Sequence, residues 1–286
     1  MIKLQTKKGE IGLNPAYSYR GLKGYTPSGP MNIKNVVVIG SGTMGSGIAG
    51  QIANSEQEVL LLDIPGETPN SITEDAVKKL IRSDPPALMH KNKANFIKVG
   101  NIRDDFNKLA NCDLIIEAVV ERLDIKKDLY NRINNIVSSK CVITSNTSTI
   151  PIKLLVEDMP QSFRERFAIT HYFNPVRFMR LLELVRGEHT KSEIIKKLAD
   201  YNDRILGKGV VACNDTPGFL GNRVGVYALQ VGMDEAYKLN LTVEEADSLM
   251  GRPMGIPKTG IFGSVSYTHL RAHETRGNLV CRLLLE

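Results

Sequence analysis

The sequence predicts an α/β fold in which an open, doubly wound parallel sheet is followed by the start of an all-helical second domain. Three observations predict it. From residue 34 onward, short β-rich apolar runs alternate with helical stretches, the pattern of βαβ units. A glycine-rich turn joins the first of these runs directly to a helix. After VVACNDTPG the strand pattern stops and a long helical pattern takes over.

Taken in order, residues 1–30 (MIKLQTKKGEIGLNPAYSYRGLKGYTPSGP) show no sustained period and are rich in Gly, Pro and Lys, so they read as a flexible arm. Met31 stands just before the first strand and is an alternative initiator. Residues 31–215 form the sheet domain, with strands in KNVVVIG, EVLLLD, CDLIIEAVV, CVITSN, FAITHYF and LLELV. Residues 69–95 interrupt the alternation with a polar helical segment. Asp84-Pro85-Pro86 must break it, because proline supplies no amide hydrogen. In residues 216–264 the run FLGNRVGVYALQVGMDEAYKL is helical, and Thr242 with Glu245 forms a capping box for the next helix. Residues 265–286 (VSYTHLRAHETRGNLVCRLLLE) abandon that pattern and resemble translated read-through of a sequencing adapter, so a non-native tail is expected. His269 and His273 within it are not expected to bind metal.

Composition bounds the function classes. The 286 residues are 42% hydrophobic and 24% charged, ordinary for a soluble chain. The formal charge of +6 is concentrated at the ends: residues 1–30 carry +4 and residues 265–286 carry +1, leaving +1 on the body. A nucleic-acid-binding face is therefore not expected. Four cysteines without metal-ligand spacing, and the lack of an apolar run of about 18 residues or a leader, point to a cytoplasmic setting with no membrane span and no metal.

The turn Gly40-Ser41-Gly42-Thr43-Met44-Gly45 lies between a strand and a helix. In that context the first glycine permits the tight turn and the second lets the backbone approach a pyrophosphate. The third allows close helix–strand packing, and the helix N-terminus offers free N–H groups to the anion. Asp63 ends the second strand 23 positions after Gly40, where an acid meets the adenosine ribose hydroxyls. A carboxylate there repels a 2′-phosphate, so the expected cofactor is NAD rather than NADP, held in a Rossmann-type domain.

A second pair of polar groups sits inside apolar runs. Along FAITHYF, the period of two places Phe167, Ile169, His171 and Phe173 on one face; along LLELV it does the same for Leu181, Glu183 and Val185. His171 and Glu183 can then face each other, with the carboxylate fixing the ring tautomer and the other nitrogen free to exchange a proton. A purely structural His–Glu hydrogen bond between two strands is the competing account of the same pattern.

IGSGTMGSGIA, IIEAVVERLDIKKDL, TSNTSTIPI, THYFNPVRFMRLLELV and CNDTPGFLGNR together resemble the L-3-hydroxyacyl-CoA dehydrogenase family of fatty-acid β-oxidation, over about residues 32–263. MGRPMGIPKTGIFG is similar to the branch in which this dehydrogenase begins a longer chain continuing into an enoyl-CoA hydratase. The resemblance implies that the helical domain is truncated here, and that the full-length protein is a homodimer acting on an acyl-CoA substrate. It implies His171 as general base and Glu183 as its orienting partner. Ser148 would hydrogen-bond the substrate oxygen, with Asn222 in support from the helical domain. It further implies cofactor contacts from Gly40, Gly42, Thr43, Met44, Gly45, Asp63, Val119, Val120, Glu121, Lys126, Ser148 and Asn174. Sequence alone gives Ser148, Asn222 and Lys126 ordinary alternatives: a strand-end hydrogen bond, a helix cross-link and a solvated helix face. NSEQEV departs from the Gly-His turn usual before the second strand, a difference confined to a loop. Two rival functions stay open: a dehydrogenase of another hydroxy or sugar acid on the same fold, and a non-catalytic NAD-binding fragment.

Overall fold

A computed structural model describes residues 33–254 and 260–263, together with a short antiparallel pairing of Gln5–Thr6 with Gly9–Glu10. The expectations for Met31, for the tail 265–286 and for most of the arm 1–30 lie outside the described residues.

Eight strands form one sheet: β1 (Val36–Ile39), β2 (Val59–Asp63), β3 (Ile97–Asn101), β4 (Leu114–Glu117), β5 (Val142–Ser145), β6 (Phe167–Tyr172), β7 (Leu181–Arg186) and β8 (Gly209–Cys213). Their spatial order is β8-β7-β6-β5-β4-β1-β2-β3. All neighbours are parallel except β6 and β7, which are antiparallel. The parallel sheet expected from sequence thus carries one reversal. VRFMR spans only a tight connection, and a parallel return needs a crossover of a dozen or more residues. Strand β3 adds to the strands expected from sequence; its stretch IKVGN has Lys98 and Gly100 interrupting the apolar run.

Alternation along each strand feeds two cores. Val36 and Val38 pack on one side with α1 (Thr43–Asn54), α2 (Ser71–Ile81) and α6 (Ser192–Asp200). Val37 and Ile39 pack on the other with α3 (Leu123–Asn134), α4 (Ile152–Val156) and α5 (Gln161–Arg164). Sheet buried on both faces explains why the strands are continuous apolar runs. Helix α2 stops at Ile81, ahead of Asp84-Pro85. In the NSEQEV loop Glu56 adopts φ 65°, a left-handed conformation that glycine would take more easily.

Beyond the sheet, α7 (Gly221–Lys238) and α8 (Val243–Leu249) enclose a small core of Ala236, Ala246 and Ile261. The Thr242–Glu245 capping box forms as expected, with both reciprocal hydrogen bonds present. Among the described residues no helix is long and apolar enough to cross a membrane, and no group of three or more His, Cys, Asp or Glu could hold a metal.

Candidate active site

Strand order reverses between β1 and β4, and an open sheet of this kind binds ligands in the crevice outside the strand C-termini at that point. A cleft of about 1740 Å³ lies there. Its lining includes Gly40, Gly42, Thr43, Met44, Asp63, Val119, Val120, Glu121, Lys126, Ser148, His171 and Asn222.

The glycine turn is built to approach a ligand. A Cβ at Gly42 would meet nothing within 4 Å, so the space above it is open to a ligand. A Cβ at Gly45 would stand 1.7 Å from the Gly40 carbonyl oxygen. Gly45 therefore serves helix–strand contact and does not line the cleft. Helix α1 has no side-chain cap and no acid in its first turn, so its leading N–H groups remain available to an anion. The Asp63 carboxylate accepts from Ser41 N at 2.5 Å, Ser41 Oγ at 2.7 Å and Ile64 N at 2.8 Å, which fixes it at the cleft's edge beside the turn. These features fit a bound dinucleotide.

Across the cleft, His171 and Glu183 occupy directly paired positions of β6 and β7. Nδ1 of His171 lies 2.7 Å from Glu183 Oε2. A carboxylate only accepts, so Nδ1 carries the hydrogen and Nε2 is left as the free nitrogen. The ring is wedged between Phe173 and Phe219 in edge-to-face contacts, with centroids 4.6 and 5.6 Å away. Glu183 is fully buried, and its Oε1 accepts from Leu220 N at 2.9 Å and Gly221 N at 2.6 Å. Burial pushes its carboxyl up, but the His171 hydrogen bond and these backbone donors outweigh that and hold it below its ordinary value. The turn presenting the two N–H groups includes Phe219 at φ 43°, a conformation L residues rarely adopt. Glu183 thus ties the sheet to the first turn of α7, which carries Asn222 into the cleft. Ser148 joins the same corner, its carbonyl accepting from Gly218 N at 3.1 Å.

Lys126 is not on a solvated helix face. It is 1% exposed, with Nζ 2.7 Å from Glu117 and 3.3 Å from Glu121. Glu121 also accepts from Thr147 and Thr149. Burial alone would raise its carboxyl, but Lys126 and the two hydroxyls hold it low.

The structure does not bring Asn174 into the cleft lining: β6 ends at Tyr172, the chain leaves the sheet, and Asn174 is exposed. Sequence reasoning missed Asn146, which lines the cleft and whose Oδ1 accepts from Tyr172 N at 2.9 Å, and Glu117, which anchors Lys126. Glu117 has a legible signal, because like Asp63 it is a carboxylate that closes an apolar strand, though it lacks the spacing from Gly40 that marks Asp63.

The sequence profile described as "3-hydroxyacyl-CoA dehydrogenase, NAD binding domain" matches residues 35–216. The chain belongs to the 3-hydroxyacyl-CoA dehydrogenase family. A Deinococcus radiodurans protein named a 3-hydroxyacyl-CoA dehydrogenase is 38% identical over 243 residues, covering 84% of this chain and 70% of that one. A Rickettsia felis protein named for a fatty acid oxidation complex trifunctional enzyme is 45% identical over 234 residues, 81% of this chain. The chain spans only 32% of that relative's length. Among solved structures, the (S)-3-hydroxybutyryl-CoA dehydrogenase of Ralstonia eutropha superposes with a TM-score of 0.68 at 26% identity, covering 88% of this chain and 93% of that one. NAD is the cofactor this family member takes, and the matched NAD-binding domain is the part of the chain that carries the Gly40–Gly45 turn and Asp63.

Proposed function

We propose that this dehydrogenase-family chain oxidises (S)-3-hydroxyacyl-CoA to 3-oxoacyl-CoA in fatty-acid β-oxidation. The observation that carries the reading is the His171–Glu183 hydrogen bond of 2.7 Å, with His171 lining the cleft that also contains the glycine turn. NAD, when bound, supplies the hydride acceptor. As the C3–H bond breaks, His171 Nε2 takes the proton of the substrate hydroxyl, and the imidazolium so formed is stabilised by Glu183. Ser148 and Asn222 donate to the substrate oxygen as charge develops there. Glu183 keeps the ring aimed through its backbone donors at the start of α7, and the Phe173 and Phe219 edges limit water around the ring. Cofactor contacts are assigned to Gly40, Gly42, Thr43, Met44, Asp63, Val119, Val120, Glu121 and Lys126.

The domain is read as the leading part of a longer cytoplasmic polypeptide with a hydratase portion and a homodimeric full-length form. The greater length of the Rickettsia relative and the MGRPMGIPKTGIFG segment support the longer polypeptide. The test is NADH formation from (S)-3-hydroxybutyryl-CoA set against free 3-hydroxybutyrate and sugar acids. Turnover of the thioester alone is expected. Equal turnover of the free acids would favour another hydroxy-acid dehydrogenase, and cofactor binding with no turnover of any of them would leave a binding fragment.

A further inference from the structure

Glu117 does more than fill the end of β4. Its side chain is fully buried, and four donors converge on it. Oε1 accepts from Val119 N at 2.8 Å and Lys126 Nζ at 2.7 Å; Oε2 accepts from Tyr130 OH at 2.6 Å and Ser145 Oγ at 2.7 Å. Glu117 therefore fixes the loop carrying Val119, Val120 and Glu121, and fixes Lys126 on α3. Its place in the sheet says which half of the cofactor lies nearby. Asp63, on β2, pins one end of the cleft, and the glycine turn after β1 holds the pyrophosphate. The remaining, nicotinamide half must then run over the ends of β4 and β5, where Glu117, Glu121 and Lys126 lie.

The formal charges of this cluster do not cancel. Two carboxylates, Glu117 and Glu121, share one ammonium, Lys126. The neighbouring charges come in opposite signs: exposed Arg122 and Asp124 pair at 2.5 Å, and exposed Asp128 shares the cleft wall with Arg132, which is half-buried over the Phe106 ring. Water screens them more than it screens Glu117 and Lys126, which are buried, and Glu121, which is 15% exposed. Oxidised and reduced nicotinamide cofactors differ by one positive charge on the ring. We propose that Glu117 is a positioning residue whose buried charge, acting with Glu121 and Lys126, biases the cleft toward the oxidised, cationic cofactor. This rests on the reading of the cleft as the NAD site.

The test measures dissociation constants of NAD⁺ and NADH for the 286-residue chain by direct titration, without acyl-CoA. Glu117→Gln keeps an acceptor for Val119 and Lys126, while the Tyr130 and Ser145 hydroxyls can rotate to receive the amide, so only the charge is lost. The ratio Kd(NAD⁺)/Kd(NADH) is expected to rise about tenfold, the scale of one unit charge acting through a protein interior of effective dielectric about 20. Lys126→Met removes the opposite charge, and the ratio should fall by about threefold or more. Ser145→Ala removes one donor and no charge and should leave the ratio unmoved. Equal weakening of both nucleotides, or ratios within about twofold of wild type in both charge variants, would reduce Glu117 to a structural residue. If Glu117→Gln gave no cooperative melt, Lys126→Met alone would decide, and an unmoved ratio there would overturn the inference. A wild-type chain that bound neither nucleotide would overturn the cofactor-site reading instead.

Discussion

His171 and Glu183 face each other across the single antiparallel pair in an otherwise parallel sheet, with Nδ1 and Oε2 2.7 Å apart. Only a tight return between β6 and β7 places position 171 opposite position 183. The reversal in the sheet is thus what creates the pair.

His171→Ala should lower turnover of the hydroxyacyl-CoA by about 10²–10⁴, the usual worth of general acid–base catalysis. NAD binding should be unchanged, since the phosphate turn and Asp63 are untouched. Steady-state kinetics beside an NAD titration checks both, and near-normal turnover would remove His171 from the mechanism.

Acid stability follows from Glu121 and Glu183, both held below the ordinary carboxylate value of 4.5 in the folded chain. A carboxylate depressed on folding binds fewer protons in the native state, so its contribution is complete above the unfolded value and is lost as pH falls through the folded one. Melting temperature should be flat from neutrality to about pH 5 and fall below it. Glu183→Gln should flatten that fall, and a wild-type melting temperature unchanged down to about pH 3 would contradict the expectation.

Two glycines of one turn should separate fold from binding. Gly42 has φ −61° and open space at its Cβ, so Gly42→Ala should leave the melting temperature almost unchanged while weakening NAD by about tenfold or more through its intrusion on the pyrophosphate. Gly45→Ala drives a methyl to 1.7 Å from the Gly40 carbonyl oxygen and should cost about 3 kcal/mol of stability. Thermal melts and nucleotide titrations on both variants decide, and identical behaviour of the two would refute the division.

Asp63→Ala should weaken NAD by about 10- to 100-fold, the size of a hydrogen bond to a charged group, and should improve NADP relative to NAD. It should also lower the melting temperature, because Ser41 N and Oγ both lose their acceptor. Unchanged affinity for both dinucleotides would place the adenosine ribose elsewhere.

The sequence by itself determined the sheet domain, the glycine turn between its first strand and helix, the place of Asp63 at a strand end, and the shared parity of His171 and Glu183. The turn and Asp63 are written in a motif and its spacing, the rest in local periodicity: Val37 and Ile39 enter one core and Val36 and Val38 the other by alternation alone. Tertiary structure decided what depends on distant chain. It reversed β7 against β6 and buried Lys126, which its lysine- and acid-rich surroundings gave no reason to expect inside. It gathered Val119, Lys126, Tyr130 and Ser145 onto Glu117, and it left Asn174 outside the cleft. The physical reason is that periodicity says which face a side chain takes, whereas the partner that satisfies a buried charge comes from whichever segments the fold packs around it.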